Sequence, residues 1–228
     1  MVAERERQFR VARRQAKRMA AVQQRSPAER DRFVVGIVPY NRARLSRLPA
    51  TRRRAFEAHL RSCLDDALRD LGAGVTPAEA MARDPHPAPM DPAVQGVLWA
   101  ACATCRGQCC MGGGPRHAFI TTDSVRAYLV RTGERDPATI LAAFRAHMPT
   151  HSLTGGCVYQ GATGCTLPRD MRASLCNRFL CDSLVDLTTA VHAAHATHPP
   201  TGAFLMRREG RRLSGGRFAL PILPARAT

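Results

Sequence analysis

The apolar positions of this chain fall mostly at helical spacing. From Thr51 to Leu71, the residues Phe56, Leu60, Cys63, Leu64, Ala67, Leu68 and Leu71 form one stripe, and Gly72 stands where a helix-ending glycine is expected. Cys63 lies on that stripe and reads as a small buried hydrophobe. Residues 2–25 carry a weaker stripe of Phe9, Ala12, Ala16, Met19, Ala20 and Val22 among arginines, read as a solvated terminal arm in preference to a lid. Ser26-Pro27-Ala28-Glu29 and Thr76-Pro77-Ala78-Glu79 share one helix-start idiom, a hydroxyl cap followed by proline and then glutamate.

A proline-rich stretch, Pro85 to Pro92, interrupts the helical pattern and reads as an extended connection. Asp91-Pro92 then opens a helix carrying Val94, Val97, Leu98 and Trp99 towards a cysteine group, with Trp99 as a core anchor. Ala118-Phe119-Ile120 is a short strand candidate. Thr122 or Asp123 caps a helix ending near Gly133, and Asp136-Pro137 opens another through Met148. An alanine-rich helix runs from Leu180 to about Thr197, and residues 204–220 read as a small basic hairpin. The expected fold is mainly α: a basic helical N-terminal region (1–84), the connection (85–92), and an irregular, metal-centred, cysteine-rich domain with a C-terminal hairpin (93–228).

Charge changes this picture only moderately. The net +16 is almost all arginine, Lys17 being the single lysine, and residues 1–70 hold 18 basic against 8 acidic side chains. Such a balance suits nucleic acid or another anionic partner, although no recognition motif accompanies it. No apolar run is long enough to span a membrane, and the basic N-terminus lacks the apolar segment of a secretory signal. A cytoplasmic chain with reduced thiols is expected, which favours metal binding over disulfides.

The chemistry lies in the cysteines. Cys102, Cys105, Cys109 and Cys110 fall within nine residues, and Cys157, Cys165, Cys176 and Cys181 follow. Soft thiolates at short spacing suit zinc or an iron–sulfur cluster. The order C-x2-C-x3-C-C is neither that of bacterial ferredoxins nor a radical-type cluster motif, and a thioredoxin-like pair would leave the other cysteines unused. A four-thiolate zinc site from Cys102, Cys105, Cys176 and Cys181 is one arrangement. Adjacent Cys109 and Cys110 point in different directions along a regular backbone, which prefers a cluster, or two metals, to a single tetrahedral ion. The glycines at 112–114 suit a tight loop around such a centre, whereas a phosphate-binding loop would need the lysine and Ser/Thr that are missing here. His192, His195 and His198 at helical spacing read as a solvated helix end rather than a further metal site.

From Ala101 to Asp182 the chain resembles the YkgJ-like CxxCxxCC domain family, described as zinc- or iron-chelating. The carriers are Cys102, Cys105, Cys109, Cys110, the stretch containing Asp123, Cys157, Gly164-Cys165-Thr166-Leu167, Arg172 and Cys176. Three residues rather than two precede the cysteine pair, Ala173 replaces a usual proline, and Cys181 is an addition. The resemblance implies a cysteine-ligated zinc or iron centre; with the adjacent Cys109–Cys110 pair an iron–sulfur cluster is preferred to zinc, its expected ligands Cys102, Cys105, Cys109, Cys157, Cys165 and Cys176, with Cys110 and Cys181 beside them. A more distant similarity to the cluster-bearing part of flagellin lysine N-methylases implies methyl transfer, but no methyl-donor fingerprint is present. Three classes follow: a metal-binding module of unspecified activity, a cluster-dependent enzyme such as a protein methyltransferase, and a zinc-stabilised nucleic-acid-associated module.

Overall fold

The structure is a computed structural model that describes residues 2–23, 32–85, 87, 90–197, 200 and 202–219. The first half of the chain supplies α1 (Val2–Val22), β1 (Phe33–Pro39), β2 (Leu45–Arg47), α2 (Ala50–Gly72), α3 (Pro77–Arg83) and α4 (Pro92–Cys105). Then come α5 (Thr122–Thr132), α6 (Pro137–Ala146), β3 (His151–Leu153), β4 (Gln160–Gly161) and β5 (Gly164–Cys165). Last are α7 (Ser174–Arg178), α8 (Asp182–Thr197), β6 (Gly202–Glu209) and β7 (Arg212–Ala219). The fold is mainly α with a C-terminal strand pair, as expected. No helix among the described residues is long and apolar enough to cross a membrane.

The chain forms two compact units. One combines Met1–Asn41, Pro89–Gln108 and Leu180–Thr228; the other combines Arg42–Ala88 and Cys109–Phe179. The proline-rich connection is thus one crossing among four, and both units draw on distant parts of the sequence.

In the first unit, β1 pairs in parallel with β6, and β6 pairs antiparallel with β7. Successive side chains of a strand point to opposite faces, and both faces are covered. Val34, Val38, Ala203 and Leu205 meet Val97, Leu98 and Ala101 of α4 and Leu187 and Val191 of α8. Ile37, Phe204 and Met206 meet Ala12 and Ala16 of α1. Helix α1 is therefore docked on the sheet through alanines that expose nothing, and is not a solvated arm. Strand β1 was not among the expected elements, although Phe33–Val38 is rich in β-branched residues. Trp99 is 53% exposed on α4 and is no core anchor.

The second unit is built on α2, whose Phe56, Leu60, Cys63 and Leu64 pack with Val125 and Leu129 of α5, Ile140 and Phe144 of α6, and Tyr159. Cys63 is buried in this core, as its position on the stripe implies. Tyr159 sits edge-on to Phe56 and donates its hydroxyl to the Phe144 carbonyl at 3.1 Å. Two capping signals hold: Thr76 and Glu79 form a full capping box, and Asp136 accepts from Ala138 and Thr139. The cap of α5 is Thr121, which accepts from the Ser124 amide, and not the expected Thr122 or Asp123, which lie inside the helix. Two further expectations fail. Gly72 is still helical, and Gly74 (φ 95°) takes the left-handed angle two residues later. Residues 118–120 form no strand, because His117, Ala118 and Phe119 are all left-handed (φ 46°, 60° and 59°). The Ser26–Glu29 helix start lies outside the described residues.

Candidate metal centre

Cys109 and Cys110 open a tight 3-10 turn, Cys109–Gly113, that packs on the loop carrying Cys157. The Cys157 amide donates to the Cys110 carbonyl at 3.1 Å. The approach leaves no room for a side chain at Gly113 or Gly114. A Cβ on Gly113 would lie 3.1 Å from the Cys157 Cβ, and one on Gly114 would land on the Gly155 carbonyl oxygen and 2.9 Å from that of Gly156. Neither glycine has a positive φ. These glycines provide space rather than an unusual angle.

The other thiols arrive on short, well-tied segments. Cys165 ends β5 opposite Gln160, in a hairpin turned by Gly164 (φ 110°), and its Sγ lies 3.9 Å from the Leu167 carbonyl. Cys176 stands on α7, with Sγ 3.8 Å from the Ala118 carbonyl. That helix is anchored by the buried carboxylate of Asp84, which accepts from the Ser174 amide at 3.1 Å.

These five thiols feel one another. Cys109 sits below the usual thiol range because Cys110 donates to it, and Cys110 is pushed far up by that donation, by burial, and by the charges of Cys109, Cys165 and Cys157. Burial pushes Cys157 up to about 12, helped by Cys165 and Cys176 and opposed by the Arg52 guanidinium. Cys176 rises to about 11 by burial, helped by Cys165 and Cys109 and opposed by Arg172. Arg52 is held in place by donating to the Gly156 carbonyl and to Ser152 Oγ. Nothing in its local sequence marked it, since its pattern is that of any exposed helical arginine. Among the described residues, no group of three or more His, Cys, Asp or Glu side chains stands ready-made at metal-ligand spacing.

The remaining expected ligands belong to the first unit. Cys102 and Cys105 occupy the last turn of α4, which ends on left-handed Arg106 and Gly107, with the Gly107 amide donating to the Cys102 carbonyl at 3.3 Å. The Gln108 amide donates to Cys105 Sγ at 3.3 Å. Cys181 precedes α8, its carbonyl accepting from the Leu184 and Val185 amides. All three line the apolar cluster of that unit. The eight cysteines therefore separate into a group of five and a group of three. No cysteine is disulfide-bonded. His192 is exposed on α8; the side chains of His195 and His198 lie outside the described residues.

No family model, curated protein or solved structure matches the chain.

Proposed function

We propose that the second unit is a metal-binding module whose thiols Cys109, Cys110, Cys157, Cys165 and Cys176 hold an iron–sulfur cluster in preference to zinc. One observation carries this reading: five thiols from separate segments of one unit lie within reach of one another's charge, and Cys110, Cys157 and Cys176 are pushed up chiefly by hydrogen bonding or burial and further by their thiol neighbours. Thiols gathered from separate segments repel one another once ionised, whereas a cation turns that repulsion into attraction and displaces their protons. Five donors exceed the four of a closed zinc site. Arg52 and Arg172 offset the negative charge that a thiolate-bound centre retains. Bound there, a cluster supplies either a rigid cross-link or a one-electron centre.

The resemblance to the YkgJ-like family supports the same chemistry, on cysteine spacing alone. A cytoplasmic location accords with nine cysteines that form no disulfide. The basic regions are read as serving an anionic partner. Anaerobic purification with iron, sulfide and zinc analysis and an absorption spectrum tests the metal. Cys157→Ser should abolish metal binding while Cys105→Ser retains it. Metal-free preparations, or loss of metal in Cys105→Ser alone, would overturn the assignment.

A further inference from the structure

Helix α1 of the first unit carries a cationic surface that the metal centre does not use. Its inner face is committed: Ala12 and Ala16 are packed against Ile37, Phe204 and Met206. The orientation of the helix is therefore fixed, and its outer face is presented as one rigid row. Arg10, Arg14 and Arg18 recur every four residues, about 6 Å apart along the axis, with Arg13 and Lys17 on the adjacent row, and all five are exposed. Among the described residues no carboxylate pairs with Arg10, Arg13, Arg14 or Arg18, whereas Arg5 pairs with Asp186 and Arg7 with Glu4. Like charges at four-residue spacing destabilise a helix, so Arg10, Arg14 and Arg18, unpaired with any carboxylate among the described residues, point to an external counter-ion.

Beside the row lies a groove of about 510 Å³ lined by Arg5, Glu6, Phe9, Arg10 and Arg13, with the Arg5 guanidinium 6.0 Å from the Phe9 ring centre. An aromatic ring among arginines suits a nucleobase with its phosphates. The hairpin adds charge at the same end, since Gln8 donates to the Arg211 carbonyl at 3.2 Å. A membrane surface fits less well. A helix that binds lipid inserts its apolar face, and here that face is already covered by the sheet.

We propose that the outer face of α1 binds single-stranded nucleic acid, phosphates along Arg10, Arg13, Arg14, Lys17 and Arg18, with a base in the adjoining groove against the half-exposed side of Phe9. This deepens the reading of an anionic partner and is independent of the metal centre.

Fluorescence anisotropy of the full-length protein with a labelled single-stranded homopolymer tests it. Log affinity should fall against log salt with a slope of about −3.5, from five phosphate contacts at about 0.7 each. Arg10→Glu/Arg14→Glu/Arg18→Glu, with circular dichroism confirming an intact fold, should bind about tenfold or more weakly, its slope shallower by about 2. Phe9→Leu, which keeps apolar bulk under the helix, should weaken binding about tenfold at unchanged slope. Wild-type binding by the folded triple variant overturns the proposal. Binding to phosphatidylserine vesicles or heparin but not to the homopolymer overturns it while leaving an anionic partner standing. Binding to no polyanion overturns both.

Discussion

Replacing Gly114 by alanine tests how the two cysteine-bearing loops are joined. The new Cβ would be driven onto the Gly155 carbonyl oxygen and to within 2.9 Å of Gly156 oxygen and 3.1 Å of its carbon. These are backbone atoms and cannot rotate aside, so the turn and the loop must separate by about 1 Å to reach ordinary contact. Overpacking of this kind costs about 1–3 kcal/mol. Losing the Cys157-to-Cys110 backbone hydrogen bond adds about 1 kcal/mol. Alanine returns about 0.4–1 kcal/mol by restricting the unfolded chain, leaving a net loss of about 2–3 kcal/mol. Gly112→Ala is the control, because its Cβ would meet only Phe119 Cζ at an ordinary 3.4 Å and should be neutral or slightly stabilising. Urea unfolding of the reduced, metal-free protein by far-ultraviolet circular dichroism measures the stability, and the reactivity of the buried Cys157 thiol reports locally. A wild-type midpoint with full Cys157 protection in Gly114→Ala would refute the packing, and so would equal damage from the two substitutions.

Three further expectations follow from the same groups. In metal-free, reduced protein, Cys109, lowered to about 7, and Cys176, raised to about 11, should differ about 100-fold in alkylation rate at neutral pH, after allowing for the weaker intrinsic nucleophilicity of the more acidic thiol. Peptide mass mapping after brief iodoacetamide treatment would show it, and equal labelling would contradict the arrangement of the pair. Tyr159→Phe should cost about 1 kcal/mol, measured by urea unfolding, because the Phe144 carbonyl loses its buried donor. The Asp136 carboxyl is held below its usual range by the Thr139 side chain and then by the Thr139 amide. Its folded value thus lies below its unfolded one, so its contribution is present above the ordinary carboxyl range and fades as pH falls through the folded value. The gap in urea midpoint between wild type and Asp136→Ala should accordingly close in acid; a gap independent of pH would contradict this.

Local signals are legible in the sequence and remote ones are not. The stripe on α2, the Thr76 box and the Asp136 cap are written within a few residues, and each stands where it was expected. The docking of α1 escaped because small alanines make a faint stripe, yet small residues are what let a helix approach a sheet closely. Residues 118–120 look like a strand by composition, but His117, Ala118 and Phe119 are turned left-handed by their surroundings. For the site, cysteine spacing identified the participants without their grouping. Cys105 and Cys109 are four positions apart and still belong to different units, because α4 ends between them at Arg106 and Gly107. No periodicity marks such a change of unit.

The parallel pairing of β1 with β6, Phe33 opposite Gly202, also bears on biosynthesis. Strand β1 emerges from the ribosome first and has to wait for its partner while the whole second unit is made. At about 5–20 residues per second this lasts about 10–30 s. Throughout that interval an apolar strand has an open edge, and α1 is the one element already synthesised that covers a face of it. If α1 docks on β1 during that interval it covers one face of the strand, and chaperone capture of nascent chains should then increase when Ala12 or Ala16 is replaced by a charged residue.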